Sequence, residues 1–402
     1  MTEALLWVAY AAHWALTLAW SACHFQISDA RRRMCGPAAQ EQRPGRPRPS
    51  VTVVLPAKDE AADLKDAATA ILSQRDVELQ LVIVDDRSTD GTGEAAEQVA
   101  RRDARCRVIH NRELPDGWMG KSHACWRGAA GAASEWLLFT DADVRLDRDA
   151  AAAAIARARL DGFDLFSLWP RDDSAGFWPR LLVPLCGAMI VIWYGRVAAR
   201  SNRRGDAFAN GQFLLIRRRV YEAVGGHAAV QACLIEDIPL ARVVARSGGV
   251  VGSAPGPDLV GVRMYRTLAE VTRGWRRIFV GVLTPMQILG CIGSLMLGSV
   301  LPLVLLPIAL AMVIFGGAST WATLWLCSAA AQLTVLTSVS IRFFGLAKCD
   351  RRRLWLYPLS VAGVLAILVG AWWDAVRGRM VEWRGTRYSV RSGKIETLPD
   401  HA

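Results

Sequence analysis

The chain has 402 residues, of which 52% are hydrophobic and 21% charged, with a formal net charge of +11. Its length exceeds one small domain, and a positive mean hydropathy excludes a purely water-soluble protein, although the charged fraction still requires a water-facing part. The excess positive charge does not suit a nucleic-acid groove, because Arg31–Arg33, Arg43, Arg46, Arg48 and Arg351–Arg353 flank apolar runs, where they match anionic lipid headgroups; the expected partner is a lipid bilayer, not nucleic acid.

In chain order, the first apolar run is Ala4 to Ala22, about 19 residues and enough to span a bilayer. Only Glu3 is charged before it, which argues against a cleaved signal peptide. Residues 1–27 are therefore expected to be an uncleaved transmembrane anchor. The Arg31–Arg33 triplet behind it places the succeeding polar part of the chain in the cytoplasm, at a bacterial-type inner membrane. Residues 28–50, rich in Pro, Gly and Arg towards their end, read as a basic linker.

From Val51 the texture changes. Val51–Leu55, Leu79–Val84, Arg107–His110 and Trp136–Thr140 read as apolar strands, and Glu60–Leu72 and Gly93–Arg102 as helices between them. Strands that are apolar throughout and alternate with helices predict an α/β fold with a mostly parallel sheet, placed over 51–278. Ligands of such sheets gather at the carboxyl ends of the strands. Phe177 to Gly195 is apolar and aromatic but interrupted by Pro179, Arg180 and Pro184. A lone crossing there would separate acidic groups on either side of it, so 177–195 is expected in the membrane interface, with an ordinary buried helix as the alternative. Beyond 279 the apolar segments lie near 279–297, 299–316, 321–341 and 354–373, giving C-terminal membrane helices over 279–375 and a basic tail over 376–402; the first segment is the candidate for a re-entrant one.

The chemistry is carried by carboxylates at strand ends. Asp141 and Asp143, separated by one residue after Trp136–Thr140, are hard oxygen ligands that suit a divalent metal, Mg²⁺ or Mn²⁺, whose shell substrate phosphates complete. A solvated turn is the bland reading of such a pair. Asp85 and Asp86 end the Leu79–Val84 strand, where a carboxylate can accept hydrogen bonds from a base or a ribose; Ser88 or Thr89 could cap the next helix. Asn210-Gly211-Gln212 precedes a strand at Phe213–Ile216, and Gly211 permits close backbone approach. Glu236 and Asp237 start a helical stretch, Ile238 to Arg246, either as ordinary capping groups or as a general base. Gly117-Trp118-Met119-Gly120-Lys121 lacks the first glycine of a phosphate-binding P-loop, yet Lys121 can meet a phosphate. The basic, aromatic stretch holding Arg263, Arg266, Arg273, Trp275 and Arg276 can bind a departing diphosphate or simply flank the membrane. The nine Cys form no CxxC pair and the six His no metal-ligand spacing, so disulfides, zinc and a histidine metal site are not expected.

Taken in order, Pro56 to Glu60, Asp85-Asp86, Asp141-x-Asp143, Asn210-Gly211-Gln212 and Glu236-Asp237 resemble family 2 glycosyltransferases of the GT-A fold, over roughly Val51 to Phe279. The Gly117-Trp118-x-Gly120-Lys121 block and the Arg263-Met264-Tyr265-Arg266 to Gly274-Trp275 stretch are similar to a membrane branch that includes carotenoid (hydroxychlorobactene and diaponeurosporenoate) glycosyltransferases. The resemblance implies that Pro56, Glu60, Asp85, Asp86, Lys121, Asp141, Asn210, Gly211, Arg273, Trp275 and Arg276 surround a nucleotide-sugar, a UDP-sugar by expectation. It implies that Asp143, with Asp141, holds the metal, and that Asp237, beside Glu236, is the catalytic base of an inverting transfer to a lipid acceptor. The QxxRW signature of processive synthases stands here only as Glu270-x-x-Arg273-Gly274-Trp275, which favours transfer of one sugar. A polysaccharide synthase or polyprenyl-phosphate sugar transferase, and a non-enzymatic transporter or scaffold, are the competing expectations.

Overall fold

A computed structural model of the chain describes residues 2–36, 47–194, 207–317 and 319–377, with the backbone of 381–383, 386–391 and 394–397. Residues 37–46 of the expected linker, and the side chains of the expected tail beyond Arg377, lie outside the described residues. The chain forms two compact units, and the first to be described comprises Arg33–Ala175, Tyr194–Met264 and the C-terminal segment from Arg377.

Before the C-terminal segment its strands are, in chain order, β1 (Ser50–Ala57), β2 (Glu78–Asp86), β3 (Cys106–Asn111), β4 (Trp136–Phe139), β5 (Val144–Leu146), β6 (Leu165–Trp169), β7 (Arg171–Asp172), β8 (Leu214–Arg217), β9 (Val251–Pro255) and β10 (Val260–Val262). The seven-stranded sheet runs β3-β2-β1-β4-β8-β6-β9, and β5-β10-β7 form a small second sheet. β3, β2, β1 and β4 are parallel to one another, β6 and β9 are parallel, and β8 runs antiparallel between β4 and β6. The expected mostly parallel α/β sheet is therefore present. Val51, Val53, Val54, Leu55, Leu81, Val82, Ile83, Val84 and Leu138 are fully buried, as strands covered on both faces require.

Two sequence features work locally. The helix Gly120–Ala129 lies on β1 and β2 because Gly128 has no side chain: a Cβ there would come within 2.4 Å of Val54 Cγ1. Helix Leu64–Leu72 starts later than the expected Glu60, because Asp59 adopts a left-handed backbone (φ 53°) and the turn at Glu60–Asp63 is spent on a loop. All nine cysteines are free thiols, five of them buried, as expected of small apolar residues.

The second unit comprises Met1–Arg32, Gly176–Trp193 and Tyr265–Val376. Three of its helical runs are long and apolar enough to cross a membrane: Pro285–Phe315, Thr320–Leu346 and Arg351–Arg377. The apolar segments expected near 279–297 and 299–316 are one continuous run, joined by a π-helical turn at Met296–Val300 just before Pro302, which has no N–H to donate. The N-terminal helix Thr2–Arg32 is continuous for 31 residues but is not among the three, since His13, His24, Tyr10 and three Trp dilute its apolar character. Phe177–Tyr194 is a helix containing Pro184. It packs within this unit: Ser360 Oγ donates to the Leu181 carbonyl, and Trp193 Nε1 lies 2.8 Å from Cys291 Sγ.

Candidate active site

Parallel strands of one sheet end on one side; Asp85 and Asp86 end such a strand and Glu60, Asp141 and Asp143 follow one, whereas Glu236 and Asp237 stand at the start of helix Asp237–Arg246. Asp85 and Asp86 close β2 and are buried. Asp86 holds the guanidinium of its neighbour Arg87 at 3.1 and 2.8 Å, and Arg87 adopts φ 59° to allow it. Helix Gly120–Ala129 begins directly against this pair: a Cβ on Gly120 would stand 2.6 Å from Asp86 Oδ2, so only glycine lets the helix start there.

That placement sets Lys121. Its ammonium sits 2.8 Å from Asp141 Oδ1 and 2.9 Å from Glu236 Oε1. Burial alone would lower the Lys121 pKa, but the two carboxylates hold it well above the usual lysine range, so the side chain is a fixed cation. Asp141 and Asp143 lie on the turn between β4 and β5, closed by Val144 N–H to the Asp141 carbonyl at 3.2 Å, and the Asp143 carbonyl accepts from Arg263 N–H at 3.0 Å. Thr140 Oγ1 ties this turn to the next loop by donating to the Gln212 carbonyl at 2.8 Å.

The Asn210-Gly211-Gln212 loop completes the cluster. The Gly211 N–H donates to Asp237 Oδ2 at 2.6 Å and the Ile238 N–H to Asp237 Oδ1 at 2.7 Å. A Cβ on Gly211 would meet Asp237 Oδ2 at 3.1 Å and Glu236 Oε1 at 3.3 Å, which explains the glycine. Burial first, and the Glu236 charge second, push Asp237 up to about 7; Lys121 and the two N–H donors pull the other way. A carboxylate poised near neutrality suits a general base. Glu236 precedes helix Asp237–Arg246 without a side-chain capping bond; its carboxylate is spent on Lys121 instead.

Several contributors had no signal in the sequence. Ser167 Oγ accepts from the Asn210 N–H at 2.7 Å and so fixes the Asn210 loop from β6. Ser88 and Thr89 do not cap the helix after β2, which starts behind Gly91 with no side-chain cap. The Asp59 N–H donates to Ser88 Oγ, the Glu60 N–H to Thr92 Oγ1 and the Ala61 N–H to Asp90 Oδ2, lacing the Pro56–Glu60 loop to the loop after β2.

Arg273, Trp275 and Arg276 belong to helix Leu268–Val282 of the second unit. There Arg276 is engaged by Asp374 (2.9 and 2.5 Å) and Trp275 is buried. The inserted Gly274 has a cause: a Cβ there would lie 2.2 Å from the Tyr265 hydroxyl.

Among the described residues no three His, Cys, Asp or Glu side chains converge in a metal-ready group. Asp141 and Asp143 fit a divalent cation as a two-carboxylate, hard-oxygen donor set that leaves the remaining positions to phosphate oxygens.

An open, mostly parallel α/β sheet with an acidic cluster at its strand ends is the architecture of the GT-A fold. Residues 52–225 match the model of glycosyl transferase family 2. It is similar to 4,4'-diaponeurosporenoate glycosyltransferases of Staphylococcus aureus (26% identity over 85% of this chain and 88% of that one) and Staphylococcus haemolyticus (27% over 59% and 63%). The match thus spans less than two thirds of the latter's length. Among solved structures, the mannosyltransferase PcManGT from Pyrobaculum calidifontis, in complex with GDP-Man and Mn²⁺, shares the fold at a TM-score of 0.54 and 19% identity, over 94% of this chain and 99% of that one.

Proposed function

We propose that the protein is an inverting glycosyltransferase that moves one sugar, a hexose, from a nucleoside diphosphate donor, UDP by preference, to a hydroxyl or carboxyl group of a membrane lipid. The observation that carries this reading is the Asp141–Lys121–Glu236 contact, with Asp237 beside it on Gly211: residues far apart in sequence meet around one point. The donor lies across the strand ends, its nucleoside towards Asp85 and Asp86. Asp141 and Asp143 would hold a divalent cation, which supplies charge neutralisation for the diphosphate.

Lys121 adds a permanent positive charge at the same place. Asp237 takes the proton of an acceptor hydroxyl as that oxygen attacks the anomeric carbon. The bond from that carbon to the diphosphate breaks, the nucleoside diphosphate leaves, and one displacement inverts the configuration. The three helices long and apolar enough to cross a membrane, with the N-terminal helix as a further anchor, support a lipid acceptor and a cytoplasmic catalytic unit at the inner membrane of a bacterium. Glu270 in place of glutamine, and Gly274 inside the former QxxRW spacing, support transfer of one sugar over polymerisation.

The test is lipid mass spectrometry of a host expressing the protein against one expressing Asp143→Ala. A hexose-mass increment on a lipid, present only with the intact chain, is the expected result. No new glycolipid, or an equal one with the variant, removes the proposal.

A further inference from the structure

At the end of β3, His110 stands beside Asp85, its register partner on β2. Its Nδ1 lies 2.9 Å from Asp85 Oδ2 and its Nε2 3.0 Å from Glu97 Oε1, on the helix Thr92–Arg102 that links the two strands. The other Asp85 oxygen accepts from the Ser88 N–H at 3.3 Å. Gly93 closes the arrangement: a Cβ there would lie 2.8 Å from Asp85 Oδ2 and 3.4 Å from His110 Cε1, so the helix sits down on the pair only as glycine. Each Asp85 oxygen is thus fixed from one side, and the rotamer of a carboxylate at the strand end is set by an imidazole.

We propose that His110 is a positioning residue for the nucleoside: as an imidazolium bridging Asp85 and Glu97 it holds Asp85 in the orientation that accepts the donor's base or ribose, and nucleotide affinity weakens when it loses its proton. This rests on the reading of Asp85 given under Proposed function.

The argument is one of hydrogen-bond count. Both ring nitrogens of His110 face carboxylates, and a neutral imidazole has a single N–H, so one of the two contacts must become a lone pair against a carboxylate. Only the cation satisfies both. The charged groups acting on His110 are Asp85 from β2 and Glu97 from the helix, and their hydrogen bonds raise its pKa above the usual histidine value against a smaller opposing effect of burial. Because the folded pKa is raised, the bridged state is fully present at acid pH and is lost as pH climbs through that raised value.

Isothermal titration calorimetry of UDP and of GDP, each with Mn²⁺, into the full-length protein in detergent between pH 5.5 and 8.5 tests this. In the wild type the affinity for the preferred nucleotide should fall as pH rises. His110→Ala should bind about tenfold more weakly at the acid end and lose the pH dependence. Glu97→Gln, which leaves the Asp85 contact in place, should move the midpoint to lower pH. A His110→Ala protein of unchanged thermal unfolding that keeps the wild-type affinity and pH profile overturns the proposal while leaving the enzyme reading intact. The same holds for a Glu97→Gln midpoint identical to the wild type. If neither nucleotide binds the wild-type protein, the parent reading fails and this one with it.

Discussion

The ammonium of Lys121 lies 2.9 Å from Glu236 Oε1, joining the first turn of the helix after Gly120 to the residue that precedes Asp237. The same nitrogen holds Asp141. Removing it as Lys121→Met strands two carboxylates, of which Glu236 is buried. The expected loss is about 3 kcal/mol of stability, since an uncompensated buried charge costs more than a pair contributes. Adding Glu236→Gln should restore more than half of that loss, because one of the stranded charges is gone. Denaturant unfolding of both variants in detergent measures it, and equal instability of the single and double variants contradicts the pairing.

Gly211 offers a sharper test of the base. Gly211→Ala places a methyl group 3.1 Å from Asp237 Oδ2 and 3.3 Å from Glu236 Oε1. Such contacts are too tight to keep, so the Asp237 carboxylate must shift by a few tenths of an ångström and its 2.6 Å bond from the Gly211 N–H must lengthen. A displaced base lowers the chemical step with little effect on donor binding. The expected result is a fall in kcat of at least about tenfold, with the donor KM within about twofold. A variant in which KM rises while kcat holds would move Gly211 from the base to the donor pocket.

The sheet was legible because buried parallel strands are written as unbroken apolar runs: the ends of Val51–Leu55, Leu79–Val84 and Trp136–Thr140 fall within two residues of those of β1, β2 and β4. β6 and β9 escaped. Leu165–Trp169 is broken by the buried Ser167, and Val251–Pro255 holds Gly252, where a Cβ would strike the Phe163 ring, so neither reads as an apolar run. At the site, residue types and spacing identified the carboxylates and Lys121, but not their partners. That Lys121 meets Glu236 and Asp141, and that His110 meets Asp85, depends on strand register and on glycines that let two helices sit close, which no local pattern records. The expected capping by Ser88 or Thr89 failed for a related reason: Ser88 found a better partner across the chain at the Asp59 N–H.

His227 gives the unit built on the seven-stranded sheet an acid-sensitive point. The ring is buried, 2.9 Å from the Tyr221 hydroxyl and edge-on to Phe139. Burial first, and the Lys121 charge second, depress its pKa to about 3. In the unfolded chain it titrates near the ordinary 6.5, so between those values the unfolded state binds more protons than the native one. Stability should therefore decline as pH falls below 6.5 and go on declining towards 3. His227→Gln, which keeps a hydrogen-bonding group for Tyr221, should flatten that decline while being less stable at neutral pH. Thermal unfolding followed by circular dichroism across pH 4 to 8 reads both effects, and parallel profiles for the two proteins exclude His227 as the source.

The height of the Asp237 pKa bears on the acceptor. At about 7, the side chain is half protonated near neutral pH, and a general base works only from its ionised form. With a lipid hydroxyl as acceptor, kcat should climb with pH through about 7 and level off above it, and Asp237→Asn should lower kcat by about 10³-fold, the middle of the range for a lost base. A lipid carboxyl is already ionised at that pH and brings no proton to remove. For it the same variant should lose less than about tenfold, and the rise through pH 7 should be absent. The measurement is a pair of pH–rate profiles, wild type and Asp237→Asn, with matched hydroxyl- and carboxyl-terminated lipid acceptors. Equal losses on the two acceptors would show that Asp237 acts on something other than the acceptor proton, and would reassign it to orienting the loop at Gly211.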